Sequence, residues 1–147
     1  MKVLLIDDHP LILSALKSTI LGLGGSVTVV DVSDARSARA ILQDDSDFDL
    51  VLLDLRLADA DGFDVLSEFR AAYPALPVVV VSASDRSSDV IRSIDLGAMG
   101  FVPKRSSNDT LFEALRMVMS GGIYVPPMRL GDDLTGSDLF VDTAPGA

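Results

Sequence analysis

Three aspartates directly follow two apolar runs and could together form one acidic site. Asp7 and Asp8 follow the run at residues 3–6, and Asp54 follows the run at residues 50–53. Short apolar runs bounded by polar residues are typical of strands buried on both faces of a parallel sheet. Neighbouring strands lie about 5 Å apart and point the same way. If these two strands are neighbours, three carboxylates meet at one sheet edge, where a divalent cation or a basic side chain is expected to offset their charge.

Two further polar residues are expected at the same edge. Ser82 follows the apolar run at residues 78–81, and Lys104 lies just beyond the short run at 101–102. A lone aspartate at a strand end is more often a helix N-cap, and a lone lysine in a loop is usually solvated. The combination is more specific, because ligands of open α/β sheets bind at the carboxyl ends of the strands. It offers acids for Mg²⁺, a carboxylate nucleophile, a hydroxyl donor and a cation for phosphate oxygens, which a phosphoryl site requires.

The elements that would position these residues form a regular alternation. Five apolar runs, at residues 3–6, 27–32, 50–53, 78–81 and 101–102, are each followed by a segment with helical spacing of apolar residues. This pattern predicts an α/β fold with a doubly wound, five-stranded parallel sheet, and right-handed crossovers then place helices on both faces. The run at 27–32 alternates more than the others between apolar and polar residues, so we place it at one edge of the sheet.

Composition limits the classes of function. The 147 residues suit one domain with a short tail, and the net charge of −10 argues against the domain gripping a nucleic-acid backbone on its own. Cysteine is absent, so there is no disulfide framework or thiolate chemistry. We find neither a signal peptide nor a run approaching the ~20 apolar residues of a membrane helix, so we expect a soluble, cytoplasmic protein with no membrane contact. Residues 128–147 are rich in aspartate and glycine and predict an acidic, flexible linker or tail.

Five separated motifs then point to one family. They are Ile-Asp-Asp-His-Pro at 6–10, Leu-Asp-Leu at 53–55, Asp-Gly at 61–62, Val-Ser-Ala at 81–83 and Gly-Phe-Val-Pro-Lys at 100–104. Over residues 1–127 the chain closely resembles the receiver domain of bacterial two-component response regulators. The Asp-Asp-His-Pro motif and the ending Gly-Gly-Ile-Tyr-Val-Pro-Pro at 121–127 are similar to the NarL/FixJ subgroup, which has a LuxR-type helix-turn-helix output domain. The resemblance implies a flavodoxin-like sheet of order 2-1-3-4-5, in which the first and third strands are neighbours.

The resemblance also assigns chemical roles. It makes Asp54 the acceptor of a phosphoryl group from a phosphohistidine of a partner sensor histidine kinase, or from a small phosphodonor. It implies that Asp8, Asp54 and the backbone carbonyl of Arg56 bind Mg²⁺ directly, and that Asp7 helps through water. Magnesium keeps several waters, so this small set of protein ligands is sufficient. Lys104 is expected to contact a phosphoryl oxygen as a compact charge.

Two residues are expected to transmit the phosphorylated state. By the resemblance, the hydroxyl of Ser82 hydrogen-bonds to the phosphoryl group and draws the following loop inward, and Phe101 rotates into the vacated space. The surface formed by the fourth helix, fifth strand and fifth helix then changes. A purely structural role for Phe101 in the core is the alternative.

The implied protein is a phosphorylation-controlled switch in transcription regulation. We expect a receiver at residues 1–127 that forms a homodimer and reaches DNA only through a C-terminal output domain that is absent here. It would not be an enzyme beyond catalysing its own phosphorylation and dephosphorylation. Three alternatives stay open: a phosphatase of the haloacid dehalogenase type, a flavodoxin-like electron carrier, and an atypical receiver that binds proteins independently of phosphorylation.

Two positions near the site carry separate expectations. Ala58 stands where the family usually has proline, so the loop after Asp54 is expected to be less rigid. His9 is the single histidine, and because it opens the first helix, we assign it a structural or solvent-facing role in preference to a phosphocarrier role.

Overall fold

The computed structural model describes residues 1–127 except residues 23, 25 and 46. Strands and helices alternate throughout this range, as the sequence predicts. In chain order they are β1 (Lys2–Ile6), α1 (Pro10–Leu21), β2 (Thr28–Val32), α2 (Ala35–Asp44), β3 (Leu50–Asp54), α3 (Gly62–Ala72), β4 (Val78–Ser82), α4 (Ser87–Asp95), β5 (Gly100–Pro103) and α5 (Asn108–Met119). The linker predicted at 128–147 lies outside the described residues. Among those described, no helix has both the length and the apolar character needed to cross a bilayer.

The strands form one parallel sheet in the order β2-β1-β3-β4-β5, which confirms the predicted flavodoxin-like topology. In the pairing of β1 with β3, Ile6 lies opposite Leu53. The residues that follow them, Asp7 and Asp54, therefore lie side by side at the carboxyl edge of the sheet. This register brings together the acids that lie 47 positions apart in the chain.

The two faces of the sheet are covered by different helices, because successive residues of a strand point to opposite faces. On one face, residues such as Leu4, Val51 and Val80 pack with apolar residues of α2, α3 and α4. On the other face, their neighbours, such as Leu5 and Leu52, pack with residues of α1 and α5. Since β1, β3 and β4 are apolar on both faces, the sheet is the rigid layer from which the loops of the site project.

Local signals set most of the helix ends. Asp34 caps α2 by accepting the N–H of Ser37, so the cap is Asp34 and not the neighbouring Ser33. Gly97 follows α4 with a φ of 106°, the left-handed conformation expected of glycine just after a helix. Several predicted strand boundaries shift by one residue: β1 begins at Lys2, β3 ends at Asp54, and β5 begins at Gly100 and ends at Pro103. The second strand begins at Thr28 instead of residue 27, and Ser82 is the last residue of β4 instead of following it.

The loop between β3 and α3 is held at several points although Ala58 replaces the usual proline. The Gly62 N–H donates to the Leu55 carbonyl at 3.0 Å, and Arg56 pairs with Asp61 in an isolated antiparallel bridge. The carboxylate of Asp59 accepts the N–H groups of Ala35 and Arg36, both at 3.0 Å, at the start of α2. The structure therefore supplies backbone anchors for the loop that proline would otherwise stiffen.

Gly62→Ala should be strongly destabilising. An added Cβ would lie 2.3 Å from the Leu55 Cα, so backbone would have to move. We expect a loss of about 2–4 kcal/mol in the free energy of unfolding, measured by urea denaturation. The matched control is Gly121→Ala, where φ is 93° but nothing lies within 4 Å. Conformational strain alone should cost about 1–2 kcal/mol there. Equal losses in the two variants would contradict the close approach of Gly62 to Leu55.

Candidate functional site

The predicted acids converge at the carboxyl edge of the sheet. The side chains of Asp7 and Asp54 are each 2% exposed, and that of Asp8 is 25% exposed. One oxygen of each carboxylate and one nitrogen of His9 all lie within 4.8 Å of one another. Three carboxylates that are this close and largely removed from water repel one another strongly, so the site requires positive charge.

Lys104 supplies a positive charge inside this cluster. Its Nζ lies 2.9 Å from Asp7 Oδ2 and 3.1 Å from Asp54 Oδ2, and its side chain is 9% exposed. The Lys104 backbone N–H also donates to the Ser82 carbonyl at 2.7 Å. The contact fixes the chain at the end of β5 beside the end of β4, so the ammonium group is positioned by the sheet itself.

Asp54 has the electrostatics of a buried, partly compensated carboxylate. Burial raises the pKa of Asp54 above its usual value, and the nearby negative charge of Asp7 raises it further. The Arg56 N–H, which donates to Asp54 Oδ1 at 3.1 Å, and the Lys104 ammonium group lower the pKa of Asp54, but they do not cancel the effect of burial. A second cation would therefore favour the ionised form of this side chain.

The donor set fits Mg²⁺. Among the described residues, Asp7 Oδ2 and Asp8 Oδ1 are buried oxygens that accept no hydrogen bond, although Lys104 Nζ lies 2.9 Å from the first and His9 Nδ1 lies 3.1 Å from the second. Unsatisfied carboxylate oxygens are the ligands that a hard divalent cation takes up. The acidic cluster can therefore hold a metal ion. The participation of the Arg56 carbonyl stays a prediction, as does the assignment of Asp7 to a water-mediated role.

The sequence analysis did not place His9 among the site residues, but the structure does. His9 Nδ1 lies 3.0 Å from Asp7 Oδ1, 3.1 Å from Asp8 Oδ1 and 3.5 Å from Asp54 Oδ2. Lys104 Nζ is 3.3 Å away. The backbone N–H of His9 also donates to Asp7 Oδ1 at 2.8 Å, which orients that carboxylate. One feature of the sequence could have indicated this role: His9 directly follows two acids at the end of β1, where side chains lie at the carboxyl edge of the sheet.

The two predicted switch residues are both buried. Ser82 is 2% exposed and its Oγ accepts the N–H of Ser84 at 3.1 Å. Phe101 is fully buried and packs in the face covered by α2, α3 and α4. The rotation of its ring on phosphorylation stays a prediction.

Comparison with known proteins gives the class. The response regulator receiver domain family matches residues 3–116. The chain belongs to this family.

Individual relatives point to the NarL/LuxR type. The chain is similar to the glycerol metabolism activator of Pseudomonas putida, with 36% identity over 127 residues that cover 86% of this chain and 57% of that protein. It is similar to the nitrate/nitrite response regulator protein NarP of Escherichia coli, with 34% identity, 82% of this chain and 55% of that protein. Among solved structures, the signal receiver domain of a NarL response regulator from Mycobacterium tuberculosis aligns with a TM-score of 0.72 and 30% identity, covering 82% of this chain and 96% of that one. The chain spans little more than half the length of the curated relatives it matches.

Asp54→Asn should stabilise the metal-free protein increasingly as pH rises. The pKa of Asp54 is above its unfolded value of 3.8, so ionisation costs more in the folded than in the unfolded state. The cost of ionising Asp54 in the folded protein does not affect stability below pH 3.8. It grows as the pH rises toward the pKa of Asp54 in the folded state, and it is constant above that pKa. We expect the stability difference between variant and wild type to increase accordingly. Urea denaturation in EDTA at a series of pH values from about 4 to 8 measures it.

The control for this prediction is Asp59→Asn, which should show the opposite slope. The amide groups of Ala35 and Arg36 lower the pKa of Asp59 below 3.8. Its carboxylate therefore stabilises the fold above that value and loses this contribution as pH falls. The deficit of Asp59→Asn should grow as pH rises toward 3.8 and stay nearly constant above it, so the series for this variant extends below pH 3.8. Slopes of the same sign in both variants would contradict the assigned electrostatics.

Proposed function

We propose that Asp54 is a phosphoryl acceptor that a partner sensor histidine kinase phosphorylates in the presence of Mg²⁺. One observation carries this proposal: the buried carboxylate of Asp54, at the carboxyl edge of the sheet, lies close to an acidic pair and contacts a buried ammonium group that also contacts Asp7. Receivers of this family are the proteins in which such an arrangement is expected. The chain would catalyse only its own phosphorylation and dephosphorylation.

The proposed transfer is a displacement at phosphorus. An Asp54 carboxylate oxygen attacks the phosphorus of a phosphohistidine and forms an acyl phosphate. The P–N bond breaks, its electron pair returns to the imidazole, and that ring takes up a proton from solvent. The Arg56 N–H holds Asp54 Oδ1, which leaves Oδ2, on the side of Lys104, for attack. The Lys104 ammonium group is then beside the incoming phosphoryl oxygens and offsets their charge.

The same acidic cluster would hold the metal ion. Asp8 and Asp54 would hold Mg²⁺ with the Arg56 carbonyl, and Asp7 would hold one of its waters. The bound ion would supply positive charge for the transferring phosphoryl group. The unsatisfied oxygens of Asp7 and Asp8 support this arrangement. His9, at the same edge, would restrict the approach of the donor to the open side of the site.

The phosphorylated state would be sensed by Ser82. Its hydroxyl would donate to a phosphoryl oxygen, and the loop after β4 and the Phe101 ring would adjust. In the whole protein we propose that this change controls a homodimer and a C-terminal DNA-binding domain in transcription regulation. The support is the type of the relatives, which are named as an activator and as response regulators.

Phosphorylation of Asp54 is directly testable. Incubation with acetyl phosphate and Mg²⁺ should add one phosphoryl group per chain by intact mass spectrometry, and Asp54→Asn should abolish the addition. Lys104→Ala should slow it at least about tenfold, because it removes charge stabilisation at the transferring group. The charge control is Lys17→Ala, whose ammonium group contacts Asp31, a residue of the edge strand β2.

Other outcomes of this experiment favour other functions. Multiple turnover of phosphate esters would support a phosphatase. Modification that persists in Asp54→Asn would contradict the assigned acceptor. No modification and no metal response would favour an atypical receiver that binds partners independently of phosphorylation.

Magnesium binding is a separate prediction. Asp8→Asn removes a proposed direct ligand and should weaken Mg²⁺ binding at least about tenfold, measured by NMR titration of backbone amides. It should also reduce the rise in melting temperature that Mg²⁺ produces in the wild type, because binding to the folded state alone is stabilising. Asp64→Asn is the control, since Asp64 lies in the first turn of α3 and outside the cluster. Equal loss of affinity in both variants would show a general charge effect instead of a site.

A further inference from the structure

The Ser82 hydroxyl is connected by hydrogen bonds to the first turn of α4. Its Oγ accepts the N–H of Ser84 at 3.1 Å. The Ser84 hydroxyl in turn donates to Asp89 Oδ2 at 2.6 Å. The same Ser84 Oγ accepts the N–H of Arg86 at 3.2 Å. Ser84 is thus joined at its backbone to the proposed sensing residue and at its side chain to a helix.

The helix end of this connection is fixed in the core. Val90, directly after Asp89, is 1% exposed, and Ser93 is fully buried. The Ser93 hydroxyl donates to the Asp89 carbonyl at 2.8 Å, which holds the backbone of Asp89 from the next turn. Asp89 cannot follow a displaced loop without moving buried side chains. The Ser84 hydroxyl therefore connects two parts of the chain. One is the loop after β4, which is proposed to move, and the other is the first turn of α4, which is packed in the core.

We propose that Ser84 and Asp89 are positioning residues that hold the Ser82 hydroxyl in its resting place. When Ser82 turns toward a phosphoryl oxygen, the N–H of Ser84 is drawn with it. The 2.6 Å contact between Ser84 and Asp89 must then lengthen or break. A hydrogen bond to a carboxylate is stronger than one between neutral groups, so this contact opposes the change. The inference rests on the proposed function, because it names a control of the same site.

The contact sets how readily the site takes up a phosphoryl group. A phosphoryl analogue binds only molecules in which the loop has moved and the Ser82 hydroxyl faces the analogue. The smaller the fraction of molecules in that state, the weaker the apparent affinity. Loss of the contact enlarges this fraction. The hydrogen bond between Ser84 and Asp89 could instead only cap α4. A cap would stabilise the helix equally whether the loop after β4 is in its resting place or has moved toward the phosphoryl group. Removing a cap would lower the free energy of unfolding and leave the phosphoryl affinity unchanged.

The experiment measures the affinity of the protein for beryllofluoride, a stable analogue of the phosphoryl group, with Mg²⁺ present. The chain has no tryptophan, so backbone amide NMR shifts provide the titration curve. We expect Ser84→Ala and Asp89→Ala each to raise the affinity about five- to tenfold. Ser84→Thr keeps the hydroxyl and should stay within about twofold of the wild type, because the contact is retained.

Two controls separate the contact from charge and from folding. Asp95→Ala removes an acid from the C-terminal end of the same helix and should leave the affinity within about twofold. In the Ser84→Ala background, Asp89→Ala should add little, since the hydroxyl that donates to the carboxylate is already gone. A full additional increase there would show that Asp89 acts through its charge and would overturn the proposal.

The remaining outcomes are distinct. Unchanged or weaker affinity in Ser84→Ala, or a Ser84→Thr variant that behaves like alanine, overturns the positioning role and leaves the acceptor intact. A wild type that shows no beryllofluoride response, or one whose response persists in Asp54→Asn, overturns the proposed function and this inference with it.

Discussion

The site is organised by the contact of one buried ammonium group with two buried carboxylates. Lys104 lies within 3.1 Å of both Asp7 and Asp54, and all three side chains are largely removed from water. Each charge alone would be costly in this environment, while together they are partly compensated. The compensation is incomplete, because the pKa of Asp54 is still raised by its burial. A cluster with this residual imbalance could take up a further cation. The same contact requires β1, β3 and β5 to end at one level, which is a property of the whole sheet.

The loops of the site are held by polar contacts that reach across the molecule. Asp59 joins the loop after β3 to the start of α2, and Gly62 allows the returning chain to lie against Leu55. The loop after β4 is joined to α4 through Ser84. Rigid strands therefore present the acids, and hydrogen-bonded loops present the groups expected to respond to a ligand. Such loops can change state without disturbing the core, because their contacts are few and directional.

The strand that directly precedes Lys104, β5, also contacts the chain that follows the last helix. After α5, the backbone of Tyr124 returns to β5, where its N–H donates to the Met99 carbonyl at 3.0 Å and its carbonyl accepts the Phe101 N–H at 3.2 Å. Its ring is buried at 8% exposure. This pairing covers backbone groups at the open edge of the sheet, which would otherwise invite association with another strand. One short strand thus leads into the acidic site at one end and contacts the C-terminal part of the described chain along its side.

The apolar runs and the acids at strand ends could be predicted from the residues, because each depends on neighbours a few positions away. Asp54, Lys104 and Ser82 were identifiable for this reason, and the resemblance supplied the strand order that spacing leaves open. His9 shows the limit. Its helix-opening position is local, but its place among three carboxylates depends on β1 and β3 pairing in one register. The anchors made by Asp59 and by Ser84 with Asp89 were equally hidden, since a side-chain hydrogen bond depends on distance and angle in space. The sequence by itself determined the elements and the chemistry of the site. The tertiary structure decided which side chains meet there, because only packing brings residues from separate segments within contact distance.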